Sequence, residues 1–149
     1  MQKHTEELIL PYRPDQMFDL VSDIQRYPEF VRWITALRIS KAHEENGIRH
    51  CIGEAVVAFK GFTNTFATRV KAARLEKRVE VSLVRGPFKH LLNTWDFVSH
   101  GEAGTRINFY IEYEFSNFIL RALARANHEY AIKQIMQTFI DEAKKRYGS

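Results

Sequence analysis

The stretch that decides the fold is Arg106–Phe115, which reads RINFYIEYEF. Apolar side chains occupy every second position from Ile107 onwards, and mostly polar side chains stand between them. A period of two residues is typical of a strand with one face against a core and the other in water. Residues 117–147, which follow, contain neither glycine nor proline, so they predict one long helix that ends before Gly148.

The same alternation recurs upstream, between residues that break regular structure. Asn46-Gly47 is a dipeptide typical of tight hairpin turns. Further breaks lie at Lys60-Gly61, at Arg85-Gly86-Pro87 and at residues 99–104. The segments between the breaks predict strands near residues 5–10, 35–43, 48–59, 62–73, 78–84, 89–99 and 105–115.

Two short helices are predicted between the first two strands. Pro14 suits the first turn of a helix, and Pro28 interrupts the apolar residues that follow. The fold class is therefore α+β, with a curved antiparallel sheet of about seven strands around a long C-terminal helix. The chain has 149 residues, of which 45% are hydrophobic, as expected of one domain covering residues 1–149.

The long helix carries two apolar stripes instead of one. The first consists of Ile119, Leu123, Ala126 and Tyr130, and the second, displaced by nearly half a turn, of Ile132, Ile135, Met136, Phe139 and Ala143. A straight helix on a flat sheet would keep a single stripe. Either the helix bends between about Arg125 and Tyr130, or its parts face different partners. We favour a curved sheet that leaves the early turns near an opening.

The cysteine content and the N-terminus exclude several classes of protein. Cys51 is the only cysteine, so an intramolecular disulfide and a cysteine-cluster metal site are excluded, and a small buried hydrophobe is expected there. The first residues lack the apolar segment of a secretory signal, and no apolar run approaches the roughly 18 residues of a membrane span. A cytoplasmic location is expected, with contact at the inner face of the cytoplasmic membrane at most.

Residues with catalytic or metal-binding chemistry are not arranged in known motifs. The six histidines (His4, His43, His50, His90, His100 and His128) show no metal-ligand spacing, although a site assembled from distant segments stays open. Glu112 and Glu114 share a strand face but lie opposite apolar residues, so they are expected to face water. His128 is expected to be satisfied or exposed more often than to bind a ligand. We predict a protein that is not an enzyme and that holds no metal or cofactor.

Aromatic side chains are abundant, with eleven Phe, six Tyr and two Trp. An antiparallel sheet curved round one helix leaves space on its concave side, which predicts an apolar cavity for a hydrophobic ligand. The aromatic rings would alternatively fill that space as a solid core, and patterning does not decide between the two. The candidate lining residues come from the inward faces: Phe62, Phe66, Val70, Leu83, Leu91, Trp95, Phe109, Ile111, Leu123 and Ala126.

Basic residues are concentrated in one part of the chain. Between residues 60 and 78 a single acid, Glu76, stands among six cations: Lys60, Arg69, Lys71, Arg74, Lys77 and Arg78. Such a cluster would suit lipid headgroups or RNA phosphates. A strand face kept in water by its charges is the simpler explanation.

Three stretches resemble the motifs of a known family. They are Phe18–Phe30 (FDLVSDIQRYPEF), Gly86–Leu91 (GPFKHL) followed by Trp95–Phe97 (WDF), and Phe109–Phe115 (FYIEYEF). Together with the order of elements, they resemble the coenzyme Q-binding START-domain family, within the polyketide cyclase and lipid-transport superfamily. The resemblance covers nearly the whole chain and implies a START-like helix-grip domain.

The resemblance implies two alternative functions. The first is non-catalytic binding of ubiquinone, or a similar isoprenoid lipid, in support of respiratory electron transport. This function requires no redox residue, because the electron chemistry belongs to the quinone. The second, known from a bacterial branch that includes ribosome-association toxins, is inhibition of translation by binding the large ribosomal subunit. We expect the first function, with a peripheral membrane contact, and keep the ribosome as the alternative partner.

Overall fold

The computed structural model describes residues 1–59 and 61–148. Seven antiparallel strands form one curved sheet in the order β1-β7-β6-β5-β4-β3-β2. The strands are β1 (Gln2–Leu10), β2 (Ile34–Glu45), β3 (Ile48–Phe59), β4 (Phe62–Ala73), β5 (Arg78–Arg85), β6 (Phe88–His100) and β7 (Gly104–Phe115). None of the helices in the described part of the chain is long and apolar enough to cross a membrane.

The predicted helices are present. A helix α1 (Pro14–Ser22) and a 3-10 helix (Ile24–Glu29) connect β1 to β2, and a helix α2 (Phe118–Tyr147) follows β7. Asn117 caps α2, since its side-chain oxygen accepts hydrogen bonds from the amides of Ile119 at 2.7 Å and Leu120 at 3.3 Å. The predicted α+β helix-grip fold is confirmed.

The strand register places the predicted apolar residues on one face of the sheet. Trp95 lies opposite Phe109 on β7 and Val79 on β5, while Val70 lies opposite Cys51 on β3 and Val81 on β5. Residues directly opposite in an antiparallel pair share a face. Because Phe139 of α2 contacts the Trp95 ring at a centroid distance of 5.0 Å, this is the face that the helix covers. We call it the inner face.

The two apolar stripes of α2 have different surroundings. The core residues of α2, Ile132, Met136, Phe139 and Ala143, all belong to the second stripe. The first stripe is exposed to solvent, with Ile119 at 52%, Leu123 at 43% and Tyr130 at 54% exposure. The two parts of the helix therefore have different surroundings, which is the second of the two alternatives drawn from the sequence. In the early turns, the positions that approach the sheet are those of Ala124 and His128, which lie between about a third and half a turn from the centre of the first stripe.

Candidate functional site

The interior beneath the second half of α2 is filled by aromatic rings. Phe139 contacts Tyr27, Phe30 and Trp95 edge-on at centroid distances of 5.4, 5.6 and 5.0 Å. Phe109, which is 2% exposed, packs against Trp95 at 4.7 Å. Edge-to-face rings at these separations leave no room for a guest between them. The cavity expected under this part of the helix is replaced by a packed core.

The other end of the inner face is less covered and is also aromatic. Phe66 contacts Phe88 at 5.7 Å, Phe88 stacks on Phe115 at 4.5 Å, and Phe115 contacts Tyr113 at 5.8 Å. The three phenylalanines are only partly buried. We call these four residues the aromatic end. A recess of about 50 Å³ opens beside it, between the start of β1 and Arg121 of α2.

The ten candidate lining residues divide into three groups. Val70, Leu91, Trp95 and Phe109 are buried in the core, with exposures between 2% and 9%. Phe66, Leu83 and Ile111 are half-buried on the same face, while Phe62 is 46% exposed. Leu123 and Ala126 lie on the exposed side of α2, so their predicted inward orientation is wrong. Whether any of them lines a ligand site stays a prediction.

A polar cluster of His4, Glu6, Tyr113 and His128 connects β1, β7 and α2, and it shares Tyr113 with the aromatic end. His4 and Glu6 of β1 lie 2.7 Å apart, and the Tyr113 hydroxyl lies 2.9 Å from Nδ1 of His128 on α2. The His4 and His128 rings meet edge-on at 5.5 Å. Burial, followed by the nearby His4, lowers the pKa of His128, and burial raises the pKa of Tyr113. Tyr113 thus provides His128 with a hydrogen-bond partner, and His128 was expected to be satisfied within the protein or exposed.

The β1 contribution to this cluster was missed by sequence reasoning. The predicted strand began at residue 5, whereas β1 pairs with β7 from Gln2 onwards, with His4 opposite Ile111 and Glu6 opposite Phe109. Both side chains therefore point to the inner face. Exposure alternates through the whole of β1. Near the N-terminus, however, polar residues occupy the inward positions, so the sequence shows no alternation of apolar residues that would predict the start of this strand.

The predicted basic cluster does not form one free patch. Arg74 pairs with Asp19 at 2.9 Å and Lys77 with Asp15 at 3.0 Å, which attaches the β4–β5 turn to α1. The Arg78 guanidinium donates to both oxygens of Asp96 at 2.8 and 2.9 Å, and Lys71 lies 3.9 Å from Glu80. Arg69 is exposed on β4, and Lys60 lies outside the described residues.

The sequence analysis described the first apolar stripe of α2 but did not predict that it faces solvent. At about 100° per residue, Ile119, Ala126, Tyr130, Lys133 and Lys144 fall within about 60° of one another, opposite the buried stripe. We call this group, together with Leu123, the α2 outer face. It combines exposed apolar side chains with exposed lysines, and it also carries Gln137 and Asp141, which are hydrogen-bonded to each other. Phe118, which is 71% exposed, extends it at the start of the helix. The stripe was visible in the sequence, but its direction depends on how the helix is rotated against the sheet.

The carboxylates considered for acid–base chemistry serve other contacts. Glu112 lies 3.3 Å from His90, and Glu114 lies 3.6 Å from the N-terminal ammonium group. Both lie on the outer face of the sheet, where they were expected to face water, but they are half-buried there. The absence of enzymatic activity stays a prediction.

Comparison with known proteins identifies several relatives. A family model described as polyketide cyclase / dehydrase and lipid transport matches residues 10–140. Ribosome association toxin RatA of Rickettsia prowazekii is 32% identical over 145 residues, covering 95% of this chain and 94% of that protein. The solution structure of an 18 kDa protein from Caulobacter crescentus is 37% identical, with a TM-score of 0.82 over the full length of both chains. Coenzyme Q-binding protein COQ10 homolog B, mitochondrial, of Xenopus laevis is 25% identical, covering 98% of this chain and 59% of that protein.

The fold and the site together define a START-like domain, in which a long helix lies across the inner face of a curved sheet. The chain belongs to the polyketide cyclase / dehydrase and lipid transport family. The family resemblance drawn from the three sequence stretches is therefore confirmed. Its relatives include both ribosome-association toxins and a coenzyme Q-binding protein.

Proposed function

We propose that this protein associates with the ribosome through the α2 outer face. The observation that carries the proposal is the exposure of Ile119, Leu123 and Tyr130 on one side of the helix. Lys133 lies on the same side about one turn beyond Tyr130, and Lys144 lies about four turns beyond it. A contiguous apolar surface bordered by charge is typical of an interaction site. Lysines would meet rRNA phosphates.

The relatives support this function over the one expected from the sequence alone. Proteins named ribosome association toxin match at 30% to 32% identity with nearly equal chain lengths. The coenzyme Q-binding relative is 25% identical. The packed rings beneath the second half of α2 also weigh against a long lipid tail along the helix, since a tail there would have to displace Phe139 and its neighbours.

Ion pairing distinguishes the α2 outer face from the basic cluster of residues 60–78. Arg74, Lys77 and Arg78 would have to give up Asp19, Asp15 and Asp96 before meeting phosphates. Exchanging one paired anion for another contributes little net free energy at a surface. The α2 lysines are therefore the better candidates for contacts with RNA.

Sedimentation of the purified protein with ribosomal subunits on sucrose gradients tests the proposal. We expect comigration with the large subunit at about 50 mM salt and release near 200 mM, because phosphate contacts weaken steeply with salt. The variant Lys133→Glu/Lys144→Glu should bind more weakly, with a salt dependence reduced by about two phosphate contacts. The control Lys3→Glu/Lys89→Glu makes the same change in net charge on exposed sheet positions.

Two results would contradict ribosome binding through α2. Protein that stays at the top of the gradient at low salt would refute association with the ribosome. Equal losses in the α2 variant and in the sheet control would show that only net charge matters, and would refute the assignment of the surface.

A second candidate function is binding of an isoprenoid quinone, which the half-buried aromatic end favours. A quinone ring would stack on Phe88 or Phe115, and the first isoprene units would lie along Phe66, gaining about 25 cal/mol for each Å² of apolar surface removed from water. Organic extraction of protein from its native host and melting with added short-chain ubiquinone test this function. No extracted lipid and no rise in melting temperature would exclude it.

A further inference from the structure

The end of the β2–β3 hairpin extends beyond the core and carries a cluster of histidines. Residues 40–47 are all exposed, and the turn at Asn46 and Gly47 has positive φ angles of 54° and 78°. Two consecutive positive φ angles produce a tight turn that matches the twist of the flanking strands. The side chains near this turn are therefore held on a well-defined hairpin and contribute nothing to the packed interior.

A β-bulge determines which side chains meet on this hairpin. Ser40 lies opposite Ile52, whereas His43 lies opposite His50, so β2 contains one extra residue between these pairs. Lys41, within the bulge, has a φ of 53°. Without the extra residue, Ala42 would face His50. The bulge thus turns His43 to the outer face of the sheet, directly opposite His50.

Three metal-ligating side chains consequently lie on one face. Glu45 is two residues beyond His43 and shares its face, and His50 lies across the strand pair. One ligand atom from each of these residues lies within 4.8 Å of the others. The two imidazole rings stack at a centroid distance of 4.9 Å with an angle of 7° between their planes.

The hydrogen bonding of His43 leaves a ring nitrogen available to a metal. Its Nδ1 lies 3.0 Å from the carbonyl oxygen of Lys41. A carbonyl only accepts, so Nδ1 carries the proton and Nε2 keeps its lone pair. Histidines that bind metals are commonly oriented by such a bond from the other ring nitrogen.

We propose that His43, Glu45 and His50 form a binding site for a zinc-class divalent cation, with water in the fourth position. Imidazole nitrogens with one carboxylate suit Zn²⁺ and its neighbours in the first transition series. Tetrahedral ligands about 2.0 Å from the metal lie about 3.3 Å apart, so the side chains need only small rotations, which the exposure of His43 and Glu45 allows. Cys51 points to the opposite face of β3, and no thiolate takes part.

Lys71 is the charge that opposes metal binding. It lies across from His50 on β4, but its ammonium group is 3.9 Å from Glu80, which holds it towards β5. Protons compete with the metal for the same ligand atoms, so uptake of the metal should weaken as the pH falls.

Titration of untagged full-length protein with Zn²⁺ against a chromophoric chelator tests the proposal. We expect one Zn²⁺ per chain, and an affinity at least tenfold lower in either His43→Ala or His50→Ala. The matched control is His100→Ala, which changes an exposed histidine at the far end of β6 and should leave the affinity unchanged. Circular dichroism of each variant verifies folding.

Cobalt provides a second readout. Co²⁺ bound at this site should give the visible bands of a four-coordinate ion without a thiolate charge-transfer band, and the Cys51→Ser variant should give the same spectrum. Zinc binding that survives in the His43→Ala/His50→Ala double variant would overturn the proposal. Equal affinity for Zn²⁺ in the wild type and in that variant would show adventitious surface binding only.

Discussion

Removal of the Phe139 ring should destabilise this protein more than any change on the exposed side of α2. Phe139 is 7% exposed and contacts Tyr27, Phe30 and Trp95 edge-on. Truncation of a buried phenylalanine to alanine typically costs about 3–5 kcal/mol, and three ring contacts place this one in the upper part of that range. Since small domains unfold with about 5–15 kcal/mol, the loss would be a large fraction of the total.

Urea denaturation followed by far-ultraviolet circular dichroism measures the effect of Phe139→Ala. The matched control is Leu123→Ala, on the same helix but 43% exposed, which should cost less than about 1 kcal/mol. If Phe139→Ala does not fold, Phe139→Leu should still unfold at a lower urea concentration than wild type, because it keeps most of the volume but loses the ring contacts.

A cost below about 1 kcal/mol for Phe139→Ala would refute the packed interior. Such a result would mean that space beneath the second half of α2 already exists, and a lipid cavity there would again be favoured over ribosome binding. A large cost combined with a small cost for Leu123→Ala would agree with the observed rotation of the helix.

Three further predictions concern α2, its contact with β1, and the β5–β6 turn. Asn117→Ala should cost about 1 kcal/mol in urea unfolding, because two amides of the first helical turn lose their acceptor. Burial and the nearby His4 lower the pKa of His128 in the folded protein, so the unfolded chain protonates this histidine more readily. The free energy of unfolding should therefore fall as the pH drops through about 6.5, and it should fall less steeply in the His128→Gln variant. Gly86→Ala should destabilise the protein by at least about 1–3 kcal/mol. The added Cβ would lie 2.5 Å from the Cβ of Phe66, and the backbone φ of +147° is one that alanine rarely adopts.

Each of these predictions has a control and a contradicting result. Gln134→Ala, at an exposed interior position of α2, should change the stability little, and an equal loss there would remove the role of the cap. An unchanged pH slope in His128→Gln would show that another group titrates. Gly101 has a positive φ of 69° but nothing within 4 Å of an added Cβ, so Gly101→Ala measures backbone strain alone; a loss equal to that of Gly86→Ala would exclude the steric clash.

Local periodicity predicted the strands because alternation of side chains reflects contacts that every half-buried strand makes. The stretch Arg106–Phe115 and the glycine- and proline-free segment after it became β7 and α2 almost without change of bounds. The start of β1 was not predictable in this way. His4 and Glu6 lie at inward positions, and His4 meets the His128 ring of α2 edge-on, a contact that no local pattern contains.

The basic cluster illustrates a different limit of sequence reasoning. The cations between residues 60 and 78 are evident in the sequence, whereas the acids that pair with them lie elsewhere in the chain. Asp15 and Asp19 lie on α1, and Asp96 lies on β6. Net charge is a property of composition. Whether a cation at the surface is paired depends on which acidic side chains the fold brings within about 4 Å of it.

The amino-acid sequence by itself determined the number and order of strands and helices, because hydrophobic periods of two and 3.6 residues act over a few neighbouring residues. Only the tertiary structure decided whether the space between sheet and helix is filled, and which stripe of α2 faces water, because both depend on the rotation of one element against another. The meeting of His43 with His50 depends on a single extra residue in β2. One inserted residue moves a strand by half its side-chain period, and that shift is set by packing across the sheet.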